Sequence, residues 1–183
     1  MTSEIHIAVS FLKQGKIIAY PTEAMFGIGC DVMDEKALTK IIKIKKRPPE
    51  KGLIIVAARW EQVQNLTQKI PDSQYKKIFQ SWPGHTTWLF PAAKQVPTLI
   101  TGKHNTIAIR VSNNPTITAL CEQYGKPIVS TSANIHNGPT AMNDTDVTNI
   151  FGGNVDYIVS GKFEKHCGAS KIIDAITGKV LRL

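Results

Sequence analysis

Lys45 and Arg47 are the residues that most invite a chemical reading. They lie in a segment from Lys40 to Lys51 that carries Lys40, Lys43, Lys45, Lys46, Arg47 and Lys51 against a single carboxylate, Glu50, so a net +5 of the chain's +8 is concentrated there. Such a focus suits a polyanionic partner, a nucleotide or RNA, although a solvated helix face would carry the same lysines. At about 100° per residue, Ala37, Leu38, Ile41, Ile42 and Ile44 form one apolar stripe, and Lys45 falls near its middle. An ammonium directed inward is costly unless it is satisfied, by an anion or by the carbonyls of a helix C-terminus; the alternative is a stem that snorkels to water. Arg47 is one of four arginines in the chain. Its planar fork matches carboxylate, bicarbonate or phosphate oxygens, or a surface ion pair.

Three further segments offer polar chemistry. In Thr106-Ile107-Ala108-Ile109-Arg110-Val111-Ser112, strand alternation puts Ile107, Ile109 and Val111 on one face and Thr106, Ala108, Arg110 and Ser112 on the other. Arg110 then either meets a buried carboxylate or lines a cleft. Ser130-Thr131-Ser132-Ala133-Asn134 follows the apolar Pro127-Ile128-Val129, and small hydroxyl and amide residues past a strand's end are common in ligand crevices of α/β sheets; a hydrogen-bonded turn would look the same. Tyr20-Pro21-Thr22-Glu23 has the same two readings. No G-x-x-x-x-G-K-[ST] occurs, Val32 stands where the third glycine of a dinucleotide fingerprint would follow Gly27 and Gly29, and H-E-x-x-H and G-x-S-x-G are missing.

The elements that must position these residues alternate in type, which predicts an α/β fold. Helices are expected over 5–14, 34–46 with Asp34 as cap, 60–68, 72–80, 115–124 and 144–151. Strands are expected over 17–20, 53–57, 87–90, 106–111, 127–130 and 155–159. A closing hairpin is expected from 171–175 and 179–183 across Thr177-Gly178. The 183 residues, 42% apolar and 20% charged, fit one globular domain, 1–183, and exclude a mostly disordered chain, a collagen or a coiled coil. The longest apolar run, Leu53 to Ala58, is far below the roughly 20 residues of a membrane span. No signal peptide is read at the N-terminus. Cys30, Cys121 and Cys167 cannot all pair, which favours reduced thiols and a cytoplasmic location, and His166-Cys167 lacks further ligands for zinc.

Taken in order, these segments resemble the YrdC/TsaC family, the threonylcarbamoyl-AMP synthases. The resemblance rests on Tyr20-Pro21-Thr22-Glu23 with Phe26-Gly27-Ile28-Gly29, on Lys45-Lys46-Arg47-Pro48 as a K-x-R-P element, and on Trp82-Pro83-Gly84. It continues through Ile107 to Val111, Ser132-Ala133-Asn134 as an S-x-N element, and Gly168 to Ala175. It implies a twisted mixed sheet with flanking helices around a large, basic concave cleft. It also implies a nucleotidyltransferase that converts L-threonine, bicarbonate and ATP, with Mg²⁺, to threonylcarbamoyl-AMP and pyrophosphate. The product would pass to the tRNA threonylcarbamoyl-transferase complex that modifies tRNA. The chain length resembles the stand-alone bacterial form.

Residue by residue, the resemblance implies Lys45 and Arg47 as the anion clamp. Thr22, Arg110, Ser132 and Ser170 would hold threonine or bicarbonate, and Lys51, Thr106 and Asn134 would hold the nucleotide. Two positions depart from the pattern: Gly52 stands where Pro is frequent before Leu53, which is expected to loosen the loop after Arg47, and His85 stands where Pro is frequent after Gly84. Two other functions fit parts of the sequence. One is a non-catalytic module that binds tRNA or double-stranded RNA in tRNA or rRNA maturation, carried by the basic segment but short of aromatics for base stacking. The other is a carbamoyl-adenylate activity like that of related domains in hydrogenase maturation proteins, which sit in much longer chains.

Overall fold

The computed structural model describes residues 2–162 and 168–183. His166 and Cys167 lie outside the described residues. Two sheets organise the chain. The four-stranded one has the order β7-β2-β1-β8, built from β1 (Ile18–Pro21), β2 (Phe26–Gly29), β7 (Thr131–Ser132) and β8 (Tyr157–Ile158). The six-stranded one has the order β10-β9-β4-β5-β3-β6, built from β3 (Ile54–Ala57), β4 (Thr86–Pro91), β5 (Thr106–Val111), β6 (Ile128–Val129), β9 (Lys171–Asp174) and β10 (Val180–Arg182). Both sheets mix parallel and antiparallel pairs: β3 runs parallel to β5, with Val56 opposite Arg110, and β4 runs antiparallel to β5.

One short stretch joins the two sheets. Ile128 and Val129 pair with β3, and Thr131 and Ser132 pair with β2. Ser130, between them, donates its N–H to the Ile54 carbonyl at 2.9 Å. The seam therefore lies where the sequence turns from apolar to hydroxyl-bearing residues, and a cavity opens beside it.

Helices cover the sheets: α1 (Thr2–Lys13), α2 (Glu35–Ile44), α3 (Asp72–Ser81), a single turn α4 (Thr98–Thr101), α5 (Pro115–Tyr124) and α6 (Asp144–Phe151). The core falls into two clusters. The larger includes Phe26, Ile28, Leu38, Ile41, Ile55, Phe90 and Ile109. The smaller lies around Ile5, Leu12, Ile18, Tyr20, Val56, Ile117, Leu120 and Ile128. Each fully buried Leu or Ile contributes on the order of 1.5–3 kcal/mol relative to exposure.

α2 follows its sequence closely. Asp34 Oδ1 accepts from the N–H groups of Lys36 and Ala37, both at 3.0 Å, which satisfies two free donors of the first turn. Ala37, Leu38 and Ile41 are buried, as the stripe requires. The helix ends in a Schellman motif: Arg47 N–H reaches the Ile42 carbonyl and Lys46 N–H the Lys43 carbonyl, both at 3.0 Å. Lys46 takes the left-handed position of that motif, φ 49°, where glycine is usual. This turn reverses the chain between Lys45 and Arg47.

Three expectations change. Residues 60–68 form two 3-10 turns, Trp60–Gln62 and Gln64–Leu66, instead of a helix. The strands β2 and β7 were not read from the sequence. The loop after Arg47 is pinned, not loosened: Gly52 has φ 58°, Arg47 Nε donates to its carbonyl at 2.9 Å, and Leu53 N–H donates to Ile100 O at 2.9 Å. A Cβ at position 52 would press on the Ile100 carbonyl, so glycine there permits a close chain crossing.

Candidate functional site

Strands from both sheets, the loop after β1 and the segment leading into β9 enclose a cavity of about 200 Å³ at the seam. Its lining includes Thr22, Glu23, Arg47, Val56, His85, Arg110, Ser130, Thr131, Ser132, Ser170 and Arg182. Three arginines thus meet one carboxylate. The volume is below the roughly 300–1,000 Å³ filled by drug-sized ligands. It accommodates an amino-acid-sized molecule, and a nucleotide would have to extend beyond it.

Arg110 on β5 is the best-buried of the lining cations, 6% exposed. Its Nη1 donates to Glu23 Oε2 at 3.1 Å and to His85 Nδ1 at 2.9 Å. The other Glu23 oxygen accepts from Ser112 Oγ at 3.0 Å. Arginine has five N–H donors; those on Nη2 and Nε make no hydrogen bond among the described residues. Both readings of Arg110 from the sequence therefore hold together: it meets a carboxylate and it lines a cleft.

Lys45 is directed inward as its helical phase predicts, and is 2% exposed. Its partners are not cavity ligands but the loop after β7. Nζ donates to the Ser132 carbonyl, to the Asn134 carbonyl at 2.8 Å and to Asn134 Oδ1 at 3.1 Å. The Lys45 carbonyl in turn accepts from His136 N–H at 2.7 Å. Burial, and secondarily the charge of Arg47, draws the ammonium down to about 7. Arg47 lines the cavity itself, and burial pulls its guanidinium below the usual arginine range.

Thr22, Ser132 and Ser170 also lie on the cavity wall. Thr22 Oγ1 donates to Met25 O at 2.7 Å, and Ser132 Oγ donates to Asn134 Oδ1 at 2.7 Å. Ser170 Oγ lies 2.8 Å from Thr87 Oγ1, and Arg182 Nη2 donates to the Ser170 carbonyl at 2.7 Å. Asn134, Lys51 and Thr106 are not on the wall. Asn134 is held behind it by Lys45. Lys51 is exposed, with Nζ 3.3 Å from His136 Nε2. Thr106 stands four residues before Arg110, opposite Pro91.

Glu23, His85 and Arg182 line the cavity and were not among the expected site residues. Glu23 belonged to a loop whose turn reading was equally good. Arg182 could have been sought as one of four arginines, but its place depended on how the closing hairpin packs.

The basic segment is less available than its composition suggests. Lys40 Nζ binds Asp156 Oδ2 at 2.9 Å, Lys45 is buried and Arg47 turns to the cavity. Lys43, Lys46 and Lys51 remain exposed.

Residues 10–183 match the model of the Sua5/YciO/YrdC family, whose description is telomere recombination. The chain belongs to the Sua5/YciO/YrdC family. A threonylcarbamoyl-AMP synthase of Coxiella burnetii is 42% identical over 182 residues, covering 100% of this chain and 98% of that protein. Among solved members of the family, P. abyssi Sua5 complexed with L-threonine superposes with a TM-score of 0.88 at 33% identity over 95% of this chain. This chain spans about half of that protein, 51%. E. coli YciO superposes with a TM-score of 0.85 at 25% identity, covering 100% of this chain and 89% of YciO. Among the described residues of this family member, no helix is long and apolar enough to cross a membrane.

Proposed function

We propose that this chain is an L-threonylcarbamoyladenylate synthase, a nucleotidyltransferase that joins L-threonine, bicarbonate and ATP. The threonine nitrogen bonds to the bicarbonate carbon as water leaves. A carbamate oxygen then bonds to the α-phosphorus of ATP as pyrophosphate leaves. The observation that carries the reading is full-length similarity to a threonylcarbamoyl-AMP synthase, combined with a cavity of amino-acid size that presents Arg110. The P. abyssi Sua5 complex with L-threonine supports the same substrate.

The reaction brings anions together, so positioning and fixed positive charge must supply most of the acceleration. Arg110 takes the threonine α-carboxylate through the donors that Glu23 and His85 leave free. Arg47, also on the wall, takes the carbamate and phosphate oxygens. Thr22, Ser132 and Ser170 offer hydroxyls at the margin. Lys45 acts from behind, by holding the loop that carries Ser132. ATP must extend beyond the cavity, where exposed Lys51 is the available cation; Asn134, held behind the wall, and Thr106 are the weaker nucleotide assignments.

Mg²⁺ enters this reading with ATP. Glu23 is the one carboxylate among the lining residues, and both its oxygens already accept hydrogen bonds. No cluster of three His, Cys, Asp or Glu side chains suited to a metal occurs among the described residues. The wall does not fit a resident Mg²⁺, and the residue roles above involve no protein-held ion. The product is an activated mixed anhydride, and the tRNA threonylcarbamoyl-transferase complex is its proposed consumer in the cytoplasm.

The test is pyrophosphate release by the purified chain. Release should require threonine, bicarbonate and Mg-ATP together. Release at the same rate without threonine would overturn the proposal.

A further inference from the structure

His85 occupies an unusual place in the cavity. It follows the turn after α3, immediately before β4, and both its ring nitrogens are engaged. Nδ1 lies 2.9 Å from Arg110 Nη1, and Nε2 lies 2.9 Å from the Gly168 carbonyl. The partners determine the tautomer. A guanidinium has no acceptor, so Nδ1 must present its lone pair; a carbonyl has no donor, so Nε2 must carry the hydrogen. The imidazole is therefore neutral, and it links β5 to the chain that leads through Ser170 into β9.

We propose that His85 is a positioning residue for the amino-acid substrate, fixing the Arg110 guanidinium against the Gly168–Ser170 wall so that its free edge meets an α-carboxylate. The inference rests on the threonine-using reading above and deepens it by naming what orients the carboxylate site. Glu23 alone does not set that orientation, because it and His85 hold the two hydrogens of the same nitrogen from different sides. The α-carboxylate does not react, so what Arg110 contributes to it is the same in ground and transition states. Loss of orientation should raise KM and leave kcat nearly intact.

Side-chain isosteres separate the two hydrogen bonds. His85→Asn places an amide oxygen near the Nδ1 position and keeps an acceptor for Arg110. His85→Gln extends an amide N–H toward Gly168 and loses that acceptor. His85→Ala loses both. The KM for threonine should rise roughly tenfold in His85→Ala and His85→Gln, about the value of one well-placed hydrogen bond, and by less than about threefold in His85→Asn. Values of kcat should stay within about twofold.

An unchanged threonine KM in both His85→Ala and His85→Gln, with wild-type turnover intact, overturns the role of His85 and spares the synthase reading. A fall in kcat without a rise in KM also overturns it. A wild-type chain with no threonine-dependent turnover removes the synthase reading and this assignment with it.

Discussion

Lys45 and Asn134 are joined twice: the lysine Nζ lies 2.8 Å from the Asn134 carbonyl oxygen and 3.1 Å from its side-chain Oδ1. With the bond to the Ser132 carbonyl, this makes Lys45 a strut between the end of α2 and the loop after β7. Truncating it removes a donor from three oxygens beside a new void; the Ser132 carbonyl keeps the Asn134 N–H and Asn134 Oδ1 keeps the Ser132 hydroxyl, so the Asn134 carbonyl loses most. Lys45→Ala should cost about 1–3 kcal/mol of stability, the penalty of leaving buried partners unmade. It should also lower pyrophosphate release at least about 100-fold, because the loop that carries Ser132 on the cavity wall loses its strut and a small misplacement of site residues costs about that much. Arg47→Ala should cause the activity loss with the smaller change in stability. Urea midpoints and turnover measured on both variants separate the strut from the wall.

The depressed Lys45 ammonium also makes stability depend on pH. In the unfolded chain a lysine titrates at about 10.4; in the fold, burial and Arg47 draw it down to about 7. Below that value both states hold the proton and the burial penalty is fully present. Between about 7 and 10.4 the unfolded state binds more protons, so this group's contribution to stability rises with pH, by at most about 1.4 kcal/mol per unit. Urea unfolding of wild type and Lys45→Met at several pH values from neutral to alkaline should show the wild type gaining on the variant. A constant difference across that range would contradict the shift.

The helical phase of Lys45 was legible because it follows from local periodicity alone, and the inward direction was correct. Its partners were not, because Ser132 and Asn134 lie nearly ninety residues away, and no local pattern indicates which carbonyls a lysine will meet. The same division holds for Gly27 and Gly29. They read as part of an incomplete phosphate fingerprint, yet a Cβ on Gly29 would collide with the Val129 carbonyl and one on Gly27 would crowd Thr22. Their small size serves close strand crossing at the seam, which is non-local. Residues 60–68 mislead for a related reason. Trp60 packs edge-on against Tyr75 and Phe79 and tilts against Phe90, so tertiary ring contacts override a modest helical pattern. Two-residue strands such as β7 are too short to show alternation at all.

Lys46 stores backbone strain in the turn that separates Lys45 from Arg47. A left-handed conformation costs an L-residue roughly 1–2 kcal/mol, partly offset because glycine pays more entropy on folding. Lys46→Gly should therefore stabilise the chain by about 0.5–1 kcal/mol, whereas Lys46→Ala, which keeps the left-handed penalty, should not. Because the Lys46 side chain is exposed and outside the cavity wall, pyrophosphate release should persist in both. Chemical denaturation of the two variants checks the sign. Equal stabilisation by Ala and Gly would point to charge relief within the basic segment instead.

The Glu23–Arg110 pair sets fold stability against substrate affinity. Their side chains are 17% and 8% exposed and 3.1 Å apart, so the pair is screened less than a surface bridge. Glu23→Gln keeps the shape but offers one acceptor oxygen where two donors, Arg110 Nη1 and Ser112 Oγ, converge. The loss of a charge-assisted bond should cost about 2 kcal/mol and lower Tm by several degrees. The incoming α-carboxylate is itself an anion beside Glu23, and at an effective dielectric near 20 two charges about 5 Å apart repel by a few kcal/mol. Relief of part of that repulsion should lower the KM for threonine by about fivefold even as the fold weakens. Thermal unfolding and threonine titration of the same preparation test the two halves together. A lower Tm with a raised KM would mean that Glu23 chiefly orients Arg110. An unchanged Tm would mean that the ion pair contributes nothing net to the fold.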